Sequence, residues 1–511
     1  MEIMVQKETL ATRDTLAHLA AELLSESDTI VPDAMPDIGE ILEVSARARI
    51  TSCRAQGDRI LVGGVTCFTV LYVPDGDEGE KMVESLSVEV PFKDVISCPP
   101  SDGAEIAASL EVVSASGLLL NSRKLSVKGV LALSVLLTKP RVLALSTDAE
   151  AEAPMGIRRT KILAESDGGG GVFTVTASAT EEVPPEKPAI LSVLKTDAHI
   201  IEEDVRLVTG KMIVKGAVRL MTLYTGDTPS CAPVSMFHSI PFTEILDLPG
   251  TEEGMAYTLD YSVSDIYFEA DTDGGRRFGA EVTMEFRART RKTEEIEILE
   301  DCYCPGYKTE VVKAPIRLKS TRNVGNEGVT VRKVLTLPPE YPPIFSVCAL
   351  SATPAVTSVS LDGQKAEVEG EFLVSLLYLS DGEEAACAYK DRVPFSVSFE
   401  TDAAESAEIS ARARLLDAGF TLPDSGSVDV RVNLSVDLSL SEEHTVDTVS
   451  EVRVLENDGE KRPSVVIAFT APGDTLWSLG KKYGVAAKKI AAFNRLDEHA
   501  PLSAGMRLLV P

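Results

Sequence analysis

Residues 216–224, GAVRLMTLY, form a segment that recurs twice more in the chain and decides the fold class. The copies are residues 64–72, GVTCFTVLY, and residues 370–378, GEFLVSLLY, and the glycine precedes the tyrosine by eight residues every time. Alternate residues of an extended chain fall on opposite faces, and both faces of GAVRLMTLY carry apolar side chains. The segment therefore predicts a β-strand sandwiched between two layers.

Further elements recur around this strand in the same order. A turn follows each copy (PDGD, TGD and SDG), and a proline between an apolar residue and phenylalanine comes next, at Val90-Pro91-Phe92, Ile240-Pro241-Phe242 and Val393-Pro394-Phe395. Upstream, a proline-bearing stretch leads into a start element that we align as Ile41-Leu-Glu-Val, Ile190-Leu-Ser-Val and Ile344-Phe-Ser-Val. Such ordered recurrence predicts three repeats. The recurring glycine is expected to allow close strand approach, and the tyrosine to fill a core edge with its hydroxyl satisfied.

Each repeat spans about 150 residues with many strand-like runs, which predicts a mainly β fold of three tandem all-β repeats. Each repeat is expected to be a sandwich or an open barrel of antiparallel strands. The expected boundaries are 1–150, 151–306 and 307–456, then a polar linker at 457–463 and a small α/β module at 464–511. Leucines at helical spacing (Leu10, Leu16, Leu19 and Leu23) predict a helix over residues 9–25.

Composition narrows the classes of partner. The formal net charge of −29 is unfavourable for binding nucleic acid or anionic lipid, because both depend on Lys and Arg contacts. No run of about 18 apolar residues is present, so no membrane span is expected. Charged residues interrupt the N-terminal segment, so no signal peptide is expected, and the eight scattered cysteines are interpreted as free thiols in a reducing cytosol.

The C-terminal module has the pattern of a βααβ unit. A strand over 465–470 is followed by the turn Pro472-Gly473, and Asp474 or Thr475 can cap the next helix by accepting its free N–H groups. That helix is expected to end at Gly484, a residue suited to a left-handed C-terminal position. A second helix over about 486–493 is expected to close at Asn494, before a returning strand over 506–510.

This module closely resembles a LysM domain. The matching residues include the run from Gly473 to Trp477, and then Tyr483, Ile490, Asn494, Leu496, Gly505, Leu508 and Pro511; Gly480 departs from the alanine usual in the family. LysM domains bind N-acetylglucosamine polymers in a groove between two loops. The resemblance places that partner- or glycan-binding groove at Gly473, Asp474, Thr475, Leu476, Trp477, Asn494, Arg495 and Leu496. A purely structural role remains open for these residues. Leu476 and Trp477 could be core residues, and Asp474 and Asn494 could be helix caps.

The module also differs from the rest of the chain in charge. It carries six Lys and Arg against three Asp and Glu, a net charge of +3, which leaves −32 on the remainder. A basic module of this kind can steer toward an acidic partner, with an association rate that falls as salt rises. A solvated helix face is the alternative interpretation.

The three repeats resemble the SPOCS domain of spore-coat proteins, on the start element, the Gly-to-Tyr strand and the apolar-Pro-Phe element. Three such domains followed by a LysM domain resemble a spore-coat morphogenetic protein. The resemblance implies a protein of the mother-cell cytoplasm that is recruited to the forespore surface. There it would bind the coat ATPase stage IV sporulation protein A (SpoIVA) through LysM, with other coat proteins or itself as further partners.

No arrangement of residues suggests catalysis. The five histidines are dispersed, the pair Cys302-x-Cys304 lacks a second pair for zinc, and no phosphate-binding GxxxxGK[ST] loop is present. The four glycines from Gly168 to Gly171 are interpreted as a flexible hairpin loop. We therefore expect a binding protein without enzymatic activity, cofactor or metal. Attachment to peptidoglycan or cortex through LysM stays open as the alternative function, and an enzyme with a SPOCS-borne site as a weaker one.

Overall fold

The computed structural model describes residues 3–76, 83–271, 274–380, 385–402, 407–455, 465–497 and 500–511. The described part of the chain is mainly β, with two short helices near the C-terminus. Its residues up to Leu455 form three successive units with six described strands each, here called the body.

The three units follow one plan. Unit 1 consists of β1 Ile3–Ile30, β2 Ile38–Gln56, β3 Arg59–Pro74, β4 Glu84–Ser97, β5 Glu105–Asn121 and β6 Lys124–Ala151. Unit 2 consists of β7 Gly156–Glu182, β8 Ile190–Val208, β9 Lys211–Gly226, β10 Pro233–Asp247, β11 Ala256–Ala270 and β12 Arg277–Tyr303. Unit 3 consists of β13 Lys308–Thr336, β14 Ile344–Asp362, β15 Lys365–Ser380, β16 Ala386–Glu400, β17 Glu408–Asp424 and β18 Ser427–Leu455.

Within each unit the strands form two antiparallel three-stranded sheets. The first, sixth and fifth strands make one sheet, with the sixth in the middle, and the second, third and fourth make the other, with the third in the middle. In units 2 and 3 a single apolar core draws residues from both sheets, and in unit 1 two clusters do so. Each unit is therefore a two-sheet sandwich, one of the two architectures expected from the sequence.

The recurring elements of the sequence contact each other. Gly370 lies opposite Phe395 in the ladder, and a Cβ at Gly370 would lie 2.3 Å from the Phe395 ring and 2.5 Å from the Ala355 carbonyl oxygen. The corresponding glycines of the other units lie opposite Phe92 and Phe242 in the same way. The glycine is thus required because the phenylalanine of the Pro-Phe element occupies its side-chain space.

The recurring tyrosine is fully buried and its hydroxyl is satisfied. Tyr72, Tyr224 and Tyr378 donate to the carbonyl oxygens of Pro36, Pro188 and Pro342, at 3.3, 3.0 and 3.1 Å respectively. Burial is the main cause that raises the pKa of Tyr72, to about 12. These bonds fix the proline-bearing stretch that enters the second strand of each unit.

The same contacts correct the alignment of the start element. Ile190 and Ile344 each lie two residues after the proline that accepts the tyrosine bond, and the residue in that position of unit 1 is Ile38. Ile41 instead lies opposite Tyr72, as Val193 and Val347 lie opposite their tyrosines. The sequence alignment that begins at Ile41 is therefore wrong by three residues. Both candidate positions in unit 1 are isoleucine, so the local pattern fits either.

The expected helix over residues 9–25 is also wrong, because this segment is part of β1. It pairs with β6 along its length, with a bulge between Thr15 and Ala17. Leu10 and Leu23 are buried against the body. A helix here would leave one edge of β6 without its ladder partner, so long-range pairing overrides the helical spacing of the leucines.

The glycine run is likewise a strand rather than a hairpin loop. Residues 168–171 lie within β7, next to β12. A Cβ at Gly169 would lie 2.7–2.8 Å from backbone atoms of Leu248 and Pro249. The glycines let another segment of backbone approach the strand closely.

The three units are joined by apolar clusters that contain residues of all three, and the first of these clusters is here called the centre. One cluster contains Leu42, Leu194 and Cys348, which are equivalent positions because each follows the residue opposite the recurring tyrosine. The leucines immediately before the three tyrosines lie in the same cluster. A second cluster joins Leu10 of unit 1, Ile298 of unit 2 and Leu318 of unit 3.

A buried ion pair joins units 1 and 2 at this centre. The ammonium of Lys195, a residue 9% exposed, lies 3.2 Å from Glu43 and 2.9 Å from Asp197. Burial lowers the pKa of Lys195, but the two carboxylates raise it more, so the pKa ends above its ordinary value. The equivalent residue in unit 3 is Ala349. The three units therefore differ at this position, which is a glutamate in unit 1, a lysine in unit 2 and an alanine in unit 3.

Candidate binding site in the C-terminal module

The C-terminal module forms a compact βααβ unit. It consists of β19 Val466–Phe469, α1 Leu476–Tyr483, α2 Ala487–Asn494 and β20 Arg507–Val510, and the two strands pair antiparallel. The core is apolar and is formed by one face of each element, with Ala468, Leu476, Leu479, Ile490 and Leu508 all buried. Thr470 closes the base of the sheet, since its hydroxyl accepts from Met506 N–H at 2.9 Å and donates to the Ser503 carbonyl at 2.5 Å.

The loop that leads into α1 is held by its own side chains. Thr475 caps the helix and forms a reciprocal capping box with Ser478, at 3.1 and 2.9 Å. Asp474 accepts from the Ala471 N–H at 2.8 Å, and Gly473 takes a φ of 88°. The polar side chains of this loop are thus engaged inside the module, whereas Gly473 and Thr475 remain exposed.

The loop that follows α2 is held by Asn494. Its amide N–H group donates to the carbonyls of Ile490 and Leu509, and its amide oxygen accepts from the Leu509 N–H, all within 2.7–2.8 Å. Asn494 is the last helical residue, and Arg495 takes the left-handed conformation with a φ of 56°. The second helix thus ends at Asn494, as expected, and the left-handed position belongs to the next residue, because the Asn494 side chain is fixed to β20.

The structure therefore distributes the eight expected groove residues among different roles. Leu476 is 3% exposed and belongs to the core, where Leu496 also packs. Asp474, Thr475 and Asn494 stabilise the loops. Arg495 is exposed, as are Gly473 and Thr475. Trp477 is half-buried and faces the body.

Trp477 makes the module's aromatic contact with unit 2. Its indole N–H donates to Oδ2 of Asp301 at 2.9 Å, and its ring meets that of Tyr303 edge to face, with centroids 4.9 Å apart. Lys481, one turn further along α1, places its ammonium 2.5 Å from Oδ1 of the same carboxylate. Part of the basic charge of the module is thus paired with the acidic body of its own chain.

Further contacts continue along the turn between the helices. The Tyr303 hydroxyl donates to the Val485 carbonyl at 3.1 Å and accepts from the Ala487 N–H at 3.0 Å. The Gly306 N–H donates to the Gly484 carbonyl at 2.8 Å. Gly484 ends α1 with a φ of 65°, as expected from the sequence.

Sequence reasoning missed Asp301, Tyr303 and Gly306. They lie in residues 301–308, DCYCPGYK, which run from the end of β12 in unit 2 to the start of β13 in unit 3. In the sequence, the two cysteines of this segment were the residues considered for a binding role. Burial raises the pKa of the Cys302 thiol to about 11, with the Asp301 charge as a smaller cause, so the thiol stays protonated at neutral pH. Within the described residues, no group of three or more His, Cys, Asp and Glu side chains is placed to hold a metal ion.

An apolar stripe lies on the outer face of the module's sheet. Ile467 is 56% exposed and Phe469 is 69% exposed, while Val466 and Ala468, which alternate with them along β19, face the core. Phe493 on α2 is 50% exposed. None of the helices in the part of the chain that the structure describes has the length and apolar character of a membrane span.

Comparison with known families agrees with this architecture. The SipL, SPOCS domain model matches residues 37–116 and 189–271, which lie in units 1 and 2, and the LysM domain model matches residues 471–511. No curated protein matches the chain. One solved structure, the crystal structure of Pseudomonas aeruginosa OccK2 (OpdF), aligns over 86% of this chain and 98% of that one, at 9% identity. Its TM-score of 0.12 is too low to carry an argument about fold.

Proposed function

The chain is a SipL-like protein with SPOCS domains and a C-terminal LysM domain, and from this premise we propose that it is a non-catalytic scaffold of spore-coat assembly. Its domains make it a sporulation-related protein whose C-terminal module belongs to a glycan-binding family. In the proposed role, LysM binds the coat ATPase SpoIVA at the forespore surface, and the body holds the module there. The protein acts from the mother-cell cytoplasm, and its partner hydrolyses the nucleotide.

A protein partner, rather than a glycan, is supported by the contact that Trp477 already makes with the body. A glycan groove needs an aromatic or apolar platform beside hydrogen-bonding backbone, because sugar rings stack on flat apolar surfaces. The chain has one tryptophan, and its indole is bound to Asp301 and Tyr303 of the body. The exposed apolar side chains of the module include Ile467 and Phe469, on a sheet face that suits the flat surface of a protein, and Phe493 on α2.

The third unit and the domain boundaries belong to the same proposal. Unit 3 lies outside the residues matched by the SPOCS model, but it has the same six-strand plan, the same Gly–Phe pair and the same buried tyrosine. We assign it as a third SPOCS domain. The three domains then run over 1–150, 151–306 and 307–456, with LysM at 464–511. The SPOCS surfaces are proposed to contact other coat proteins or further copies of the chain.

The experiment is a titration of the full chain with purified SpoIVA, with chitin oligomers and peptidoglycan as rival ligands. Leu476 lies in the core, so a change there would unfold the module; the informative variants are Phe469→Asp on the sheet face and Arg495→Glu on the loop. Lys489→Glu, at an exposed position on α2, is the control. Saturable SpoIVA binding that Phe469→Asp or Arg495→Glu weakens and Lys489→Glu retains supports the proposal.

A second function, attachment to peptidoglycan or other N-acetylglucosamine polymers, is favoured by one observation. Gly473 in the first loop and Arg495 in the second are both exposed, and they offer glycine backbone and a guanidinium group to which a sugar chain could hydrogen-bond. Binding of chitin oligomers that Arg495→Glu weakens, without SpoIVA binding, would overturn the scaffold proposal in favour of this one.

A further inference from the structure

We propose that Asp301, Tyr303 and Gly306 form a receptor surface, here called the junction surface, for the first helix of the LysM domain. The two sides together make an intramolecular latch. With the latch closed, the Trp477 face of LysM is covered by the body, while the two exposed loops stay open. A partner that requires the Trp477 face must open the latch.

The polar groups of the two sides match one to one. The carboxylate of Asp301 accepts from the Trp477 indole through one oxygen and from Lys481 through the other. The Tyr303 hydroxyl is both donor and acceptor, to Val485 and Ala487 of the inter-helix turn. Tyr303 is 2% exposed, so an unmatched hydroxyl there would be costly. Such complementarity distinguishes a built interface from a chance contact.

The internal repeat shows that this acid position is used differently in each unit. Asp148, Asp301 and Glu451 are equivalent, because each directly follows the residue that bulges out of the ladder near the end of the sixth strand. In unit 1 the carboxylate of Asp148 lies 2.8 Å from Arg159. In unit 3 that of Glu451 lies 2.9 Å from Arg453.

In unit 2 the LysM domain supplies the cation in place of a body arginine. Arg158, the neighbour of Asp301 across the ladder, pairs with Glu300 instead, at 2.9 Å. The second contact residue is also particular to this unit, since the positions equivalent to Tyr303 are Glu150 and Arg453. Three equivalent sites therefore lie near the ends of the sixth strands of the three units. LysM binds at the site in unit 2, where the carboxylate pairs with LysM and a tyrosine lies two residues further along the strand.

Gly480 fits the same contact. A Cβ on this residue would lie 2.5 Å from the Tyr303 hydroxyl and 2.7 Å from the Val485 carbonyl oxygen. Alanine, the residue usual for the LysM family, would therefore crowd both the junction surface and the turn after α1. The departure from the family pattern is explained by close approach on this face of the helix.

The contact is small enough to open. About ten residues join β18 to β19, and a chain of that length reaches at most about 35 Å. A short tether gives an effective concentration in the millimolar range, so a few polar contacts suffice to close the latch. The body cores, in contrast, bury many apolar side chains between the units.

Trp477 makes the latch directly observable, because it is the one tryptophan of the chain. In the full chain we expect blue-shifted emission and weak quenching by acrylamide. Asp301→Ala and Tyr303→Phe change the body side and leave LysM intact. Asp301→Ala loses charge-assisted hydrogen bonds and should raise the open fraction relative to the closed one by about 10-fold to 100-fold, with red-shifted emission and stronger quenching. Tyr303→Phe loses hydrogen bonds between neutral groups and should give a smaller shift in the same direction.

Asp265→Ala is the matched control. Asp265 also follows a bulge and also accepts from the next backbone N–H, at 2.9 Å against 3.0 Å for Asp301. It should leave the emission unchanged. Lys481→Gln tests the other side of the contact and should shift the emission in the same direction as Asp301→Ala.

The latch is overturned if the wild-type tryptophan is already as quenchable as in the denatured chain. It is also overturned if the control shifts the emission as much as Asp301→Ala, or if none of the latch variants does. The measurement needs no partner, so its outcome is independent of whether SpoIVA binds.

Discussion

The three units of the body and the LysM domain are attached to the molecule in different ways. The units share apolar cores and a buried ion pair, whereas LysM meets the body through Trp477, Lys481 and a short turn. Burying many apolar side chains gives a large stabilisation, whereas a few polar contacts such as that between Lys481 and Asp301 give a small one. The comparison indicates a body built as one assembly and a module built to be presented and released.

The strongest test of the body is its buried ion pair. Lys195→Met leaves Glu43 and Asp197 without their cation at the centre, and we expect a loss of about 3–5 kcal/mol in the free energy of unfolding. Denaturant titration followed by circular dichroism measures it. Adding Glu43→Leu should recover part of the loss, and an unchanged midpoint in the single variant would show that the unit interface is not stabilised as described.

A somewhat smaller loss of stability is expected from a substitution of the recurring glycine in unit 3. Gly370→Ala places a methyl group where Phe395 and the Ala355 carbonyl already lie, and overpacking of this kind costs about 3 kcal/mol. The matched control is Gly328→Ala, where a Cβ would meet nothing within 4 Å. Denaturant midpoints of the two variants should differ clearly. Equal midpoints would contradict the role assigned to the recurring glycine.

The body should also lose stability in acid through His238. Its ring lies 4.9 Å from Phe278 and 5.9 Å from Phe268, and neither ring nitrogen has a hydrogen-bond partner among the described residues. Burial lowers the pKa of His238 to about 4. Because the folded-state pKa is below the ordinary 6.5, its stabilising contribution is complete above pH 6.5. That contribution is lost as the pH falls toward 4, by about 2–3 kcal/mol.

His238→Phe removes the titrating group and keeps an aromatic ring in the same place. Unfolding free energies of both proteins, measured between pH 7 and pH 4, should diverge as the pH falls, with the wild type losing more. Parallel curves would mean that His238 does not titrate with a lowered pKa.

The smallest loss of stability is expected from a substitution in LysM, and it should not spread to the body. Asn494→Ala removes two hydrogen bonds between α2 and β20 and one within α2, and it should destabilise the module by about 2 kcal/mol. Trp477 fluorescence reports the module, and far-ultraviolet circular dichroism is dominated by the strands of the body. The fluorescence transition should move to lower denaturant while the body transition stays in place. Coupled movement of both would break the distinction between body and module.

Much of the body was predictable from local sequence. The Gly-to-Tyr strand, the Pro-Phe element and their repetition lie close together in the chain, and their roles follow from strand geometry. The helix predicted at residues 9–25 failed because β1 is defined by its pairing with β6, more than 100 residues away. The shifted alignment at Ile41 failed because two isoleucines three residues apart satisfy the same local pattern.

The C-terminal module shows the same division. Its elements and the end of α1 at Gly484 are local features and were predicted. The sequence offered Asp474 or Thr475 as the cap of α1, and the structure shows that the cap is Thr475. The docking of Trp477 on Asp301 was not, because it joins residues 176 positions apart and leaves no periodic signal in the sequence. The unusual glycine at position 480 was visible as a departure from the family, but its reason requires the position of Tyr303.

The most direct test of the central claim is the location of the protein in sporulating cells. A fluorescently tagged full chain should form a continuous ring around the forespore, and a chain ending at Leu455 should remain diffuse in the mother cell. That result would support a body that depends on LysM for its recruitment. A ring that persists without residues 456–511, or that persists in cells lacking SpoIVA, would contradict the proposed role of the module.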